Sequence, residues 1–281
     1  MTARALRSRA AALLLATAAL TAVGTSTAHA DSPGGWVAAG NTVYSTLTAG
    51  EGIATRADGS VLTRGLGSIP LRLRIAGWNH VGDPDIVNGY VFDAYQGGDS
   101  ATSKMFEVTT PDGHSYDYVH PLDQGELLNN SFATVSPDAR WLVEGEWGTV
   151  NRLQVFPAPL TNPATPATGG TLAQAGQISL DKAVTDVQGC DFVSATRLVC
   201  VSDNDAKDVF QVDLPHALDG TPVTGRVATL FQVPRVSVCS GGFETEGVDY
   251  DANAKVLRVE IISPSVCAVS TTAYAYRPTT G

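Results

Sequence analysis

The chain has 281 residues, a formal net charge of −10 at pH 7 and four cysteines. A surface with this charge repels nucleic acid and anionic membranes, and the chain contains no basic stripe, so the composition argues against nucleic-acid binding. A chain of this length can build one large domain with its own core.

The first thirty residues are predicted to be a secretory signal peptide. Three arginines precede an apolar stretch that runs to about Val23, and the sequence Ala28-His29-Ala30 has the small-x-small form of a cleavage site. The apolar stretch is shorter than the about 20 residues that a membrane span needs, and no later segment is long enough.

Cleavage at this site is expected to release residues 31–281 as a single secreted domain. The signal contains three arginines and no acidic residue, so the mature chain carries a net charge of −13, which is −10 less three. Such a surface favours solubility and attracts cations. We expect a monomer.

An even number of cysteines in an exported chain predicts disulfides. Three pairings of the four cysteines are possible. We favour Cys190–Cys200 and Cys239–Cys267, because each of these bridges stays within one local repeat. Metal binding is the weaker interpretation, since no C-x-x-C pair occurs.

A hairpin pattern recurs five times along the chain. Each instance has a short strand, a tight turn rich in Gly, Asn, Asp or Pro, and a more apolar strand. Further strands follow several hairpins, giving about four strands in about 50 residues, which is typical of a propeller blade. The five instances, named here units one to five, span residues 51–63, 82–95, 131–145, 189–202 and 245–260.

The sequence therefore predicts an all-β fold, specifically a β-propeller with five blades. Unit five lacks an outer strand, which the segment Asn41–Leu47 could supply and so close the ring. Unit one is short, with only about 30 residues before unit two begins, so six blades with one degenerate is an alternative. A β-sandwich is the other structural alternative.

Unit four allows a prediction of register. If Cys190 lies opposite Cys200, then Asp191 faces Val199 and a three-residue loop remains, Ser194–Thr196. Opposed positions of antiparallel strands have Cβ atoms about 4.5–5.5 Å apart, near the spacing that a disulfide needs.

Polar residues occur before and at the first strand of each unit. In a propeller these positions meet at a central channel, so they are candidate site residues. Turn formation is the simpler explanation for Asp83-Pro84-Asp85. The candidate metal ligands are Glu51, Asp83, Asp85, Asp191 and Glu246, the candidate ligand-binding residues are Asn79, Asn130, Ser131 and Gln188, and Glu244 lies among them.

These residue types suit a hard cation. Ca²⁺ takes 6–8 oxygen ligands, and a bound ion could polarise an ester, lactone or phosphate oxygen. His80 could then act as general base near neutral pH. His114, His120 and His216 receive little functional weight, because each adjoins a turn, a proline or a loop.

Two aromatic residues suggest a different ligand. Trp141 and Trp147 are predicted on one apolar strand, where core packing is the default. The run Glu144-Gly145-Glu146-Trp147 could instead line a carbohydrate-binding face, since an aromatic platform with carboxylates suits sugars.

The runs Trp78–Asp85 and Asn88–Val91 resemble a blade motif of secreted bacterial β-propeller proteins. The Glu-Gly strands at Glu51 and Glu246 are similar to those of lactonase and gluconolactonase-type propellers. That resemblance implies that an acidic residue before a glycine, with Asn and Asp from other blades, holds a divalent cation.

Three functions remain open from the sequence. The first is an extracellular propeller that binds a cation or a small polar ligand at an acidic central face. The second is a cation-dependent hydrolase of an ester, lactone or phosphoester. The third is a non-catalytic cell-surface module.

Overall fold

The computed structural model describes residues 35–128 and 131–279. They form an all-β protein, as predicted from the sequence. The predicted signal peptide lies outside the described residues. Within the described part of the chain, no helix has the length and apolar character required to cross a bilayer.

The described part of the chain begins with a long strand and the short hairpin of unit one. Strand β1 (Trp36–Ser45) leads into helix α1 (Thr46–Ala49), and strands β2 (Gly52–Thr55) and β3 (Val61–Arg64) form a two-stranded sheet. A 3₁₀ turn and helix α2 follow, at Leu66–Ser68 and Leu71–Ile75. Unit one therefore has two strands and a helical extension where the repeat predicts four strands.

Unit two is an antiparallel sheet. A two-residue turn with positive φ at Asn88 and Gly89 connects the strand that ends at Val87 to the strand that begins at Tyr90, as Asn-Gly sequences favour. Its strands are β4 (His80–Val81), β5 (Asp85–Val87), β6 (Tyr90–Gln96), β7 (Ser103–Thr109) and β8 (Ser115–Pro121), and both β4 and β5 pair with β6.

Unit three follows the same meander. Its strands are β9 (Thr134–Val135), β10 (Trp141–Glu144), β11 (Thr149–Pro157) and β13 (Gly176–Thr185), and β12 (Gly170–Thr171) lies between the last two in sequence. Strand β12 belongs to another sheet, because it pairs in parallel with β8 of unit two. The Pro- and Thr-rich segment after Pro157 is thus a loop that returns to the preceding unit.

Unit four contains the predicted disulfide hairpin. Its strands are β14 (Val187–Ser194), β15 (Arg197–Ser202), β16 (Asp208–Asp213) and β17 (Val223–Gln232). Cys190 lies opposite Cys200 and Asp191 opposite Val199, as predicted. The loop is one residue shorter than predicted, because the register shifts after Phe192 and Ser194 pairs with Arg197.

Unit five is completed by strand β1, the first strand of the described residues. Strands β18 (Glu244–Asp251), β19 (Val256–Ile262) and β20 (Ser270–Pro278) form a meander, with a 3₁₀ turn at Ser265–Cys267. Strand β1 pairs with β20, so that Asn41 lies opposite Tyr274. The predicted role of the N-terminal segment as the outer strand is confirmed, and the paired strand is longer than predicted.

Both predicted disulfides are present. Cys190 is bonded to Cys200, and Cys239 is bonded to Cys267. The second bridge connects the loop before β18 to the 3₁₀ turn after β19. Each bridge is local, as the repeat boundaries predict.

The first strands of the five units contact one another in a closed cycle. In unit two, β4 and β5 both pair with β6, and β5 is the one that takes part. Strand β2 contacts β5, β5 contacts β9, β9 contacts β14, β14 contacts β18, and β18 contacts β2. Each of the four core clusters of the described residues lies between consecutive units, for example Phe106 of unit two against Phe156 of unit three at 5.4 Å between ring centroids. Consecutive units therefore share core residues. Units three and four are in addition joined through their outer strands, because β13 pairs in parallel with β17 to make one eight-stranded sheet.

Asp83 connects this cycle of strands. Its Oδ1 accepts the backbone N–H of Ile53 at 2.9 Å, and its Oδ2 accepts that of Val248 at 2.9 Å. Its own N–H donates to the carbonyl of Ser131, and its carbonyl accepts the N–H of Ala133. One residue of unit two thus bonds to units one, three and five.

Three glycines make room for the Asp83 carboxylate. A Cβ at Gly52, Gly189 or Gly247 would lie between 2.4 and 2.6 Å from an atom of Asp83. Since real side chains do not approach this closely, the strands of units one, four and five can surround Asp83 only with glycine at these positions.

We expect Asp83→Ala to destabilise the protein by about 2–6 kcal/mol. The substitution leaves two buried N–H groups without an acceptor, and each costs about 1–3 kcal/mol. Urea unfolding at constant pH measures the change. The control is Asp205→Ala, at an exposed acidic residue, which should cost less than about 0.5 kcal/mol. Equal stabilities for the two variants would contradict the role assigned to Asp83.

Candidate functional site

A cavity of about 850 Å³ opens where the first strands of the units begin. Glu51 precedes β2, His80 begins β4, and Gln188 lies near the start of β14. The other polar lining residues include Glu244 and Glu246 at the start of β18. Leu128 and Trp147 contribute apolar surface from around unit three. Side chains from distant parts of the chain therefore converge on one cavity.

Glu51 and His80 are neighbours in this cavity. The Nε2 atom of His80 lies 3.6 Å from Oε2 of Glu51. Burial lowers the pKa of the His80 imidazole, which favours the neutral form. Burial and the charge of Glu244 raise the pKa of Glu51 to about 8. Both groups are thus favoured in their neutral forms near neutral pH.

Glu246 is 7% exposed and lies in an acidic environment. Burial raises its pKa well above the usual value, and the charges of Glu51 and Glu244 add to the effect. Among the residues that line the cavity there is no lysine or arginine. The charge of Lys207 acts on Glu244, but Lys207 is itself paired with Asp203, so the carboxyl groups of the cavity wall outnumber the permanent cations that act on them.

Glu260 on β19 is a further carboxyl group near this acidic cluster, although it does not line the cavity. It is fully buried, and neither of its side-chain oxygens has a hydrogen-bond partner among the described residues. Its pKa is raised well above the usual value by burial, and then by the charges of Asp249 and Glu51. An unpaired buried carboxyl group is costly, so this position calls for a proton or a cation.

Asp85 and Asp191 bond to neighbouring strands. Asp85 Oδ2 accepts the N–H of Val135 in unit three at 2.7 Å, and Asp191 Oδ2 accepts that of Tyr250 in unit five at 2.6 Å. Burial raises the pKa of Asp85 to about 6 and that of Asp191 well above its usual value. Neither residue lines the cavity.

The predicted site residues thus fall into separate groups. Glu51, His80, Gln188 and Glu246 line the cavity, whereas Asp83, Asp85, Asp191 and Ser131 bond to adjacent strands. Ser131 donates its hydroxyl to the carbonyl of Val187 at 2.7 Å. Asn79 is exposed and outside the cavity, and Asn130 lies outside the described residues.

Sequence reasoning missed two members of the site. Trp147 was predicted in a core strand with Trp141, but β10 ends at Glu144 and Trp147 is 44% exposed at the cavity. Glu260 lies within an apolar strand, and only its position opposite the bulge between Thr245 and Val248 brings it near the acidic group. The nearby Glu144 and Glu146 are buried in ion pairs with Lys104 and Arg152.

The comparisons with known proteins add little. No protein-family model and no curated protein matches the chain. A Bacteroides ovatus crystal structure, provisionally described as a hydrolase, is 14% identical and has a TM-score of 0.40, covering 79% of this chain and 69% of its own. A mitotic checkpoint complex structure is 12% identical with a TM-score of 0.32, covering 96% and 99%. Similarity at this level supports no argument about this chain.

The raised carboxyl pKa values predict a specific pH dependence of stability. In the folded protein the pKa of Glu51 is about 8, whereas its usual pKa is 4.5. Between these two pH values the folded state therefore binds more protons than the unfolded state does. The contribution of Glu51 to the free energy of unfolding should therefore decrease as pH rises through this window, in the presence of a chelator.

Glu51→Gln tests this prediction, because an amide does not ionise. The melting temperature of Glu51→Gln, minus that of the wild type, should become more positive from about pH 5 to about pH 8. Asp99→Asn removes an exposed carboxyl group of the same cavity and should show a smaller trend. A difference for Glu51→Gln that does not vary with pH would contradict the shifted pKa.

Proposed function

We propose that this chain is an exported five-bladed β-propeller that binds a divalent cation and a small polar ligand in the cavity. The cyclic contacts of the five first strands, and the pairing of β1 with β20, support a closed ring of blades. Two disulfides are typical of an oxidising compartment, which supports export.

The observation that carries the cation proposal is the unpaired acidic group. The charges of Glu51 and Glu260 raise the pKa of Glu246, the charge of Glu51 raises that of Glu260, and no lysine or arginine is among the described residues that line the cavity. A divalent cation would neutralise the repulsion between these carboxylates and offset the cost of burying them. Ca²⁺ is the first candidate, because all the available acidic ligands are oxygens and its geometry is flexible.

The cavity has room for a second ligand beside the ion. Its volume of about 850 Å³ lies within the range of small-molecule sites. Gln188 offers an amide, and Trp147 and Leu128 offer apolar contact. A small polar molecule or a sugar with an oxygen facing the ion fits this lining better than a purely apolar molecule.

Calcium should raise the melting temperature of the wild type after removal of bound metal. A free ion concentration 100 times Kd stabilises by about 2.7 kcal/mol, which corresponds to roughly 5–10 °C for a domain of this size. Glu246→Gln should abolish most of the increase, whereas Asp99→Asn should retain it. Differential scanning fluorimetry with a chelator as reference measures both.

An increase that is equal in Glu246→Gln and in the wild type would place the ion elsewhere. No increase with Ca²⁺, Mg²⁺ or Mn²⁺ would refute the cation proposal. That result would favour the alternative of a non-catalytic surface module.

A second candidate function is cation-dependent hydrolysis of an ester, lactone or phosphoester. The specific observation in its favour is His80, whose Nε2 lies 3.6 Å from Glu51 inside the cavity and whose pKa is lowered by burial. A neutral imidazole beside a bound ion could remove a proton from water while the ion polarises the substrate oxygen.

A panel of chromogenic esters, lactones and phosphodiesters with added Ca²⁺ tests the hydrolase proposal. His80→Ala should lower any detected rate by about 100-fold or more, the usual size of a general-base contribution. His114→Ala, at an exposed histidine outside the cavity, should leave it unchanged. Full activity in His80→Ala would remove His80 from the mechanism, and no turnover of the panel would leave binding as the function.

A further inference from the structure

A second group of potential ligands lies outside the cavity, at the end of strand β8. His120 is in the last part of β8, and the turn that follows brings Asp123 and Glu126 back against it. One potential ligand atom from each residue lies within 4.8 Å of the other two. Among the described residues this is the one such group of three or more His, Cys, Asp or Glu.

The His120 ring is held in a defined orientation. Its Nδ1 lies 2.9 Å from the carbonyl oxygen of Leu172, and its ring packs edge-on against Phe156 at 4.9 Å between centroids. The Nε2 atom is then directed at Oε2 of Glu126, 2.9 Å away. A histidine with one ring nitrogen facing a backbone carbonyl is the usual arrangement of a metal ligand, and here an ion would replace the contact between Nε2 and Glu126.

The surrounding charges leave room for a cation. Glu126, whose side chain is 1% exposed, contacts Lys104 through Oε1 and His120 through Oε2. The described network contains the carboxyl groups of Asp123, Glu126, Glu144 and Glu146, and the permanent cations Lys104 and Arg152. It therefore has two more carboxyl groups than permanent cations.

One buried carboxyl group of this network is not fully paired. Glu144 is fully buried and forms an ion pair with Lys104, but its Oε2 has no hydrogen-bond partner among the described residues, and burial raises its pKa to about 8, which favours the protonated form. Lys104 contacts Oε1 of Glu126, so an added ion would approach Oε2, which now accepts the backbone N–H of Asp123 at 2.8 Å and faces Nε2 of His120. Asp123 is exposed there, which provides access from solvent.

We propose that His120, Asp123 and Glu126 bind a transition-metal ion of the Zn²⁺ type, separate from the cation of the cavity. One imidazole and two carboxylates are a ligand set that Zn²⁺ accepts, with a fourth position left for water. An imidazole ligand favours Zn²⁺, Cu²⁺ or Ni²⁺ over Ca²⁺, which prefers oxygen. The two sites therefore differ in the ion that they select.

Zinc titration of the metal-free mature protein against a chromophoric chelator tests the proposal. We expect one equivalent of Zn²⁺ to bind in the presence of excess Ca²⁺, with the Glu246→Gln variant unchanged. Asp123→Asn should weaken Zn²⁺ binding by more than about tenfold, since even changes beside a metal ligand cost 10–100-fold. Asp123 is exposed, so this variant should fold normally.

The matched control is Asp112→Asn. Asp112 is an exposed acid beside an exposed histidine, with Oδ2 3.7 Å from Nε2 of His114, but it has no buried partner. This variant should bind Zn²⁺ like the wild type. His120→Gln, checked for folding by circular dichroism, should lose the site.

Several outcomes would overturn the proposal. They are the absence of Zn²⁺ binding at micromolar concentrations, an affinity unaffected by Asp123→Asn, and displacement of Zn²⁺ by equimolar Ca²⁺. Zinc-edge anomalous scattering from a crystal gives an independent answer, since a peak between His120 and Glu126 supports the site and a peak elsewhere refutes it.

Discussion

The arrangement of the first strands depends on the carboxylate of Asp83. It is 1% exposed, and both its oxygens accept backbone N–H groups from strands that lie far away in sequence. A carboxylate that accepts such bonds fixes the relative height of the strands, because a shift of one residue would remove both acceptors. Gly52, Gly189 and Gly247 permit the close approach, so one acid and three glycines together allow the first strands of units one, two, four and five to meet.

This constraint divides the acidic residues into two classes. The aspartates within the first strands accept N–H groups from neighbouring units, as Asp85 does from Val135 and Asp191 from Tyr250. The glutamates have longer side chains and lie at the start of the strands, where Glu51 and Glu246 reach the cavity. Aspartates of the first strands thus stabilise the fold, whereas glutamates near the start of the same strands are available to bind a ligand.

Much of the fold could be predicted because it depends on local pattern. The hairpin turns and the Cys190–Cys200 register follow from short stretches of sequence, and the pairing of the N-terminal strand follows from the outer strand that the last repeat lacks. The site was harder to predict, since Asp83 looks the same in sequence whether it binds a metal or a backbone N–H. The orientation of the His120 ring could not be predicted for a similar reason, because its Nδ1 faces the carbonyl of Leu172, 52 positions later. The parallel pairing of β12 with β8 also has no local signal.

The pairing of β1 with β20 has a consequence for how the chain acquires its structure. Strand β1 is synthesised early, but its partner lies more than 220 residues later, and contacts of such long sequence separation form slowly. Until β20 has been made, the outer edge of the last sheet cannot be covered, and β1 has an open hydrogen-bonding edge. Chaperones and proteases would meet this intermediate first, so its lifetime bears on yield as much as the stability of the finished fold does.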